Sequence, residues 1–96
     1  MREKYIEQKL VKEVKSYGGI ALKFNSPSFD GVPDRLILLP GGRAAFAEVK
    51  KHGMKPRPLQ LQRHGMLRCL GFKVFVIDDE EQIKIKLLEI LGGDAK

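Results

Sequence analysis

The chain has little of what marks a secreted or membrane-bound protein. Its only cysteine is Cys69, so no disulfide can close within it, and no group of Cys and His has zinc-site spacing. That argues against a small disulfide-stapled scaffold. No apolar run is long enough for a signal peptide or a membrane span, and the charged start Met-Arg-Glu-Lys leads straight into an amphipathic segment. A cytoplasmic protein of a bacterial or phage-infected cell is expected, with no membrane partner. Long polar tracts, repeats and linkers are also missing. With 43% hydrophobic and 31% charged residues, the chain has the composition of a folded domain rather than a disordered one. Its 96 residues are expected to form one domain over 1–96, with one core and no room for a fused recognition module.

Acidic residues are missing from one long stretch. Residues 49–77 hold seven Lys or Arg (Lys50, Lys51, Lys55, Arg57, Arg63, Arg68 and Lys73) and no Asp or Glu. A solvated basic face is the plain reading. Together with a net charge of +6, the block also suits a polyanion, either nucleic acid or an acidic membrane, and charge alone does not choose between them.

Ile6, Leu10, Val14 and Tyr17 recur at helical spacing, and Gly18-Gly19 ends the pattern, which predicts a helix over 3–17. Alternation over 20–24 predicts a strand, followed by a loop to Pro33. The aliphatic run 34–39, the turn Pro40-Gly41-Gly42 and the run 43–50 predict a β-hairpin. Pro56 and Pro58 break the chain before a second helix over 59–70, with apolar residues at 59, 66, 67 and 70. A buried-type strand over 72–77 and a helix over 80–91, carrying Ile83, Leu87, Leu88 and Leu91, complete the order α-β-β-β-α-β-α. The fold class is α/β, a mixed sheet with helices against it. Hairpin strands pair antiparallel, whereas a strand reached through a helix returns parallel.

Glu48 and Lys50 are two residues apart on one strand and therefore share a face, while Ala45, Ala47 and Val49 form an apolar opposite face. The hairpin brings Asp34 back toward them, and the register depends on the turn. A two-residue loop would set Asp34 opposite Val49, on the wrong face; a three-residue loop sets it opposite Glu48. Pro40 followed by two glycines predicts the three-residue form. Two carboxylates held together repel, and a divalent cation is one way for a fold to tolerate them; oxygen donors suit Mg²⁺ or Mn²⁺. Such an ion polarises a phosphate and acidifies water. Lys50 would orient or deprotonate that water, or steady the developing oxyanion. Glu7 shares a helical stripe with Glu3, Leu10 and Val14, where it is either a solvated boundary residue or a third carboxylate for the same ion. Cys69 reads as a core residue, and His52 and His64 as surface or DNA-facing residues; His64 has no carboxylate partner nearby in sequence.

These residues resemble the PD-(D/E)xK nuclease superfamily, and within it the VRR-NUC (virus-type replication-repair nuclease) family in its stand-alone form. The resemblance runs through Glu7 in Ile-Glu-x-x-Leu-Val, Gly18-Gly19, Gly31-Val-Pro-Asp-Arg35, Leu39-Pro-Gly-Gly-Arg43, Ala47-Glu-Val-Lys50, Pro58-Leu-x-x-x-Gln62 with its neighbour Gln60, and Leu70-Gly-Phe-x-Val74. It implies a restriction-endonuclease-like fold and a Mg²⁺ ion, with Mn²⁺ able to substitute, bound by Glu7, Asp34, Glu48 and the backbone carbonyl of Val49. Asp34, Glu48 and Lys50 would be catalytic. Gln60, favoured over Gln62 because it follows Pro58-Leu59, would lie near the site. The resemblance further implies an endonuclease acting on DNA, selective for branched forms such as Holliday junctions or flaps, in DNA repair, and a homodimer; the aliphatic last helix reads either as its contact or simply as core packing. Lys51, Lys55, Arg57, Arg63 and Arg68 are the candidate DNA-binding residues. A non-catalytic basic nucleic-acid-binding protein would use the same basic stretch but leave the acidic pair unexplained. An interaction module or transcription regulator would treat the charged surface as solvation.

Overall fold

The computed structural model describes residues 2–92. The elements are α1 (Glu3–Ser16), β1 (Ile20–Lys23), β2 (Arg35–Leu39), β3 (Arg43–Val49), α2 (Pro58–Cys69), β4 (Lys73–Ile77) and α3 (Glu81–Gly92). They follow the order expected from the sequence, with ends shifted by a residue or two. Asp34 and Lys50 stand just outside β2 and β3 rather than within them.

The four strands lie in the order β1-β2-β3-β4. β1 pairs antiparallel with β2, β2 antiparallel with β3, and β3 parallel with β4 after the crossover through α2. Leu39 pairs with Arg43, so the hairpin loop is the three residues Pro40-Gly41-Gly42. Both glycines have positive φ, 85° and 73°, a left-handed pair that other residues adopt only under strain. The turn therefore sets the register of everything upstream of it.

One face of the sheet carries the apolar core. Ile6, Leu10 and Val14 of α1 and Ile83, Leu87 and Ile90 of α3 pack with Ile37, Leu39, Ala45, Ala47, Val49 and Ile77 of the strands. The two alanines let the helices approach β3 closely, and truncating one of the larger members would cost about 2–5 kcal/mol. Helix α3 is thus a core helix, but Leu88 and Ile85 point outward and are exposed.

α2 covers part of the other face, turned differently from what its apolar pattern predicts. Its buried residues are Gln60 and His64. Leu59, Met66 and Leu70 are exposed, as is Cys69, which is not a core residue. His64, expected at the surface, is fully buried. The helix turns a polar edge inward because the sheet surface beneath it carries Glu48. Phe46 on that surface packs between Phe24 and Phe72, at 5.4 and 5.8 Å between ring centroids.

Candidate active site

The β2/β3 register carries the site. Arg35 pairs with Ala47, so Asp34, one residue earlier, stands opposite Glu48, as the three-residue loop requires. Asp34 Oδ1 accepts a hydrogen bond from the Val49 N–H at 3.2 Å, and its own carbonyl accepts from the Phe24 N–H at 2.9 Å. The residue is thereby tied to both neighbouring strands at the end of the sheet.

Two sets of side chains converge there. From α1, Glu3 and Glu7 lie one turn apart, and one carboxylate oxygen from each lies within 4.8 Å of the other and of Asp34. Glu7 therefore reaches the site; Glu3 reaches it too, although only Glu7 was singled out from sequence. Their i, i+4 spacing was the available signal. Arg35, on the α1 side, places Nη2 3.6 Å from Glu7 Oε1 and donates from Nη1 to the Ala21 carbonyl at 3.2 Å.

Glu48 is outside that trio and faces α2. It is 3% exposed. Its Oε2 accepts from Gln60 Nε2 at 2.9 Å and lies 3.5 Å from Lys50 Nζ. Gln60 is buried and its Oε1 also accepts from the Arg57 N–H at 2.8 Å, closing the first turn of α2. Gln62 is exposed, so Gln60 is the glutamine the fold brings to the carboxylates. His64 Nε2 lies 3.9 Å from Glu48 Oε1, too far for a hydrogen bond. Burial, then the Arg68 and Lys50 cations, hold its pKa below the usual imidazole range.

The electrostatics reflect burial first and, at Asp34, crowding second. Burial and then the Glu48 carboxylate push the Asp34 pKa up to about 7, with Glu7 and Glu3 adding to the shift and the Val49 N–H opposing it. Burial also raises Glu48, against the pull of Lys50 and Gln60. Val49 is fully buried beside them.

The basic residues divide into two kinds. Lys51, Lys55 and Arg57 are exposed in the segment between β3 and α2. Arg63 instead donates to the Asp30 carbonyl at 2.7 Å with its guanidinium 3.9 Å over the Phe29 ring, clasping the loop before Asp34 onto α2. Gly31 makes that approach possible, since a Cβ there would sit 2.9 Å from Leu59 Cγ. Arg68 donates to the Val74 carbonyl at 2.8 Å. His52 is a surface residue whose Nδ1 lies 3.3 Å from the Asp78 carbonyl. Among the described residues no helix is long and apolar enough to cross a membrane.

No family model matches the chain. Over 81 residues, 84% of its length, it is 51% identical to "Putative nuclease p44" of Acyrthosiphon pisum secondary endosymbiont phage 1, and the match covers 87% of that protein. A solved structure described as a VRR_NUC domain superposes with a TM-score of 0.83 at 32% identity, over 93% of this chain and 97% of that one. Identity and coverage of this extent show the family: the chain belongs to the VRR-NUC family of nucleases.

Proposed function

We propose that this chain is a Mg²⁺- or Mn²⁺-dependent endonuclease that hydrolyses DNA phosphodiester bonds, with selectivity for branched DNA such as Holliday junctions or flaps. The observation that carries the reading is the crowding of carboxylates at Asp34, whose pKa burial and then the Glu48, Glu7 and Glu3 carboxylates push up to about 7. Such a site is costly when empty of positive charge and becomes favourable with a divalent cation. The donors fit: all are oxygens, and Glu48 Oε1 is buried without a hydrogen-bond partner among the described residues. Glu7, Asp34, Glu48 and the Val49 carbonyl would hold the ion, with Glu3 beside them. When bound, it supplies charge neutralisation at the phosphate and acidifies water.

The protein's own groups do the rest. Lys50 is half-buried next to Glu48, where its ammonium orients the attacking water or steadies the negative charge that builds on the phosphate oxygens. Gln60 fixes the Glu48 carboxylate from the α2 side. Lys51, Lys55 and Arg57 offer phosphate contacts alongside.

A homodimer would provide two such sites and a longer basic groove. Exposed apolar residues support that arrangement: Ile85 and Leu88 on α3, and Ile20, Leu22 and Leu38 on the sheet face beyond α2. Gel filtration tests it, with a dimer mass expected. The activity is tested by incubating the protein with plasmid, single-stranded, flap and four-way-junction DNA in Mg²⁺, Mn²⁺, Ca²⁺ or EDTA. Cleavage of the branched substrates in Mg²⁺ or Mn²⁺ is expected. Tight binding of every DNA without cleavage would favour a non-catalytic binding protein.

A further inference from the structure

α2 buries two residues, Gln60 and His64, four apart on one edge of the helix. The first has a clear partner in Glu48. The second has none: His64 is 0% exposed, and neither ring nitrogen has a hydrogen-bond partner among the described residues. Glu48 Oε1 is in the same condition, and it lies 3.9 Å from His64 Nε2. Buried polar groups without partners are costly and rare, so two of them side by side are read as one unclosed bond. A leucine would fill the same space without that penalty. The imidazole therefore acts through its polarity.

We propose that His64 is a positioning residue for Glu48: its Nε2–H donates to Glu48 Oε1 while Gln60 holds Oε2, so that α2 clamps both oxygens of the carboxylate. Closing the gap needs a shift of about 1 Å, within reach of the soft terminal torsion of a glutamate. The Nε2–H tautomer leaves only a lone pair buried at Nδ1, a smaller loss than a buried orphan N–H. Each carboxylate oxygen has two lone-pair sites, so Oε1 can accept from His64 and still present a site to a cation. The clamp fixes the plane of the carboxylate in advance, so less torsional freedom is lost when an ion binds. It rests on the metal-dependent reading above.

The test is Mn²⁺ affinity measured by calorimetry on the full chain, without DNA. His64→Leu is expected to keep its metal-free Tm but to bind Mn²⁺ about tenfold more weakly, in line with other residues that orient metal ligands. His64→Gln, whose Nε2 can take the place of the ring Nε2, is expected to restore most of the affinity. Unchanged affinity in His64→Leu, or a His64→Gln variant no better than His64→Leu, would overturn the clamp while leaving the metal site standing. A wild-type protein that binds no Mn²⁺ would overturn the metal-dependent reading and with it the clamp's role in metal binding. A second arm needs no variant: ring ¹⁵N NMR of the wild-type protein in EDTA at pH 8 is expected to show the neutral Nε2–H tautomer at His64. The Nδ1–H tautomer, which turns a lone pair toward Glu48, would overturn the proposal.

Discussion

Gln60 bridges Glu48 to the start of α2: its Nε2 donates to Glu48 Oε2 at 2.9 Å while its Oε1 accepts from the Arg57 N–H at 2.8 Å. One buried side chain thus caps a helix and holds a site carboxylate. Gln60→Ala should lose both bonds, lowering stability by about 1–3 kcal/mol and weakening Mn²⁺ binding. Gln62→Ala, at an exposed position, should do neither. Thermal unfolding and calorimetry of the two variants check this; equal behaviour would remove Gln60 from the site.

The carboxylate crowd predicts a pH dependence of stability in EDTA. Asp34 holds its proton more tightly in the folded state, where its pKa is about 7, than at its ordinary value of 3.8. Between those values the folded protein binds more protons than the unfolded chain, so stability falls as pH rises and levels off above about 7. Glu48 is raised and acts in the same direction. Asp34→Asn keeps an acceptor for the Val49 N–H but removes the charge. Its Tm should match the wild type near pH 4 and exceed it by several degrees at pH 8, since about 1 kcal/mol shifts Tm by roughly 4–8 °C at this size. Mg²⁺ should raise the wild-type Tm more at pH 8 than at pH 5.5, because binding displaces the proton. Differential scanning calorimetry across that range tests both statements.

The basic residues should separate by salt dependence. Lys51→Ala, Lys55→Ala and Arg57→Ala should each weaken DNA binding in EDTA and reduce the slope of log K against log salt by about one. Arg63 is engaged with Phe29 and Asp30, so Arg63→Ala should lower Tm and leave the slope nearly unchanged. Filter binding at several salt concentrations, paired with thermal unfolding, distinguishes the two classes.

Much of this was legible because periodicity reports apolar burial. The α1 stripe, the alanines of β3 and the hairpin all have apolar residues facing a core, and the Pro-Gly-Gly turn then fixes the register of Asp34 against Glu48. α2 departs from its expected orientation for the same reason. Its inward edge is Gln60 and His64, while Leu59, Leu61, Met66 and Leu70 face out, so a rule that puts apolar residues inside turns the helix the wrong way. Only the presence of Glu48 on the sheet beneath explains the inversion, and that contact spans 16 residues of sequence from Glu48 to His64. Glu3 is inconspicuous in the sequence, because an exposed acid at a helix start is ordinary until Asp34 stands beside it.

The most direct test of the central claim is the rate of DNA cleavage by the wild type and by Asp34→Ala, Glu48→Ala and Lys50→Ala, each confirmed as folded, in Mg²⁺ and in EDTA. The predicted result is cleavage by the wild type in Mg²⁺ only, with each variant slower by about 100-fold or more. Equal cleavage in EDTA, or full activity in all three variants, would contradict the assignment of Asp34, Glu48 and Lys50 as the centre that cuts the phosphodiester bond.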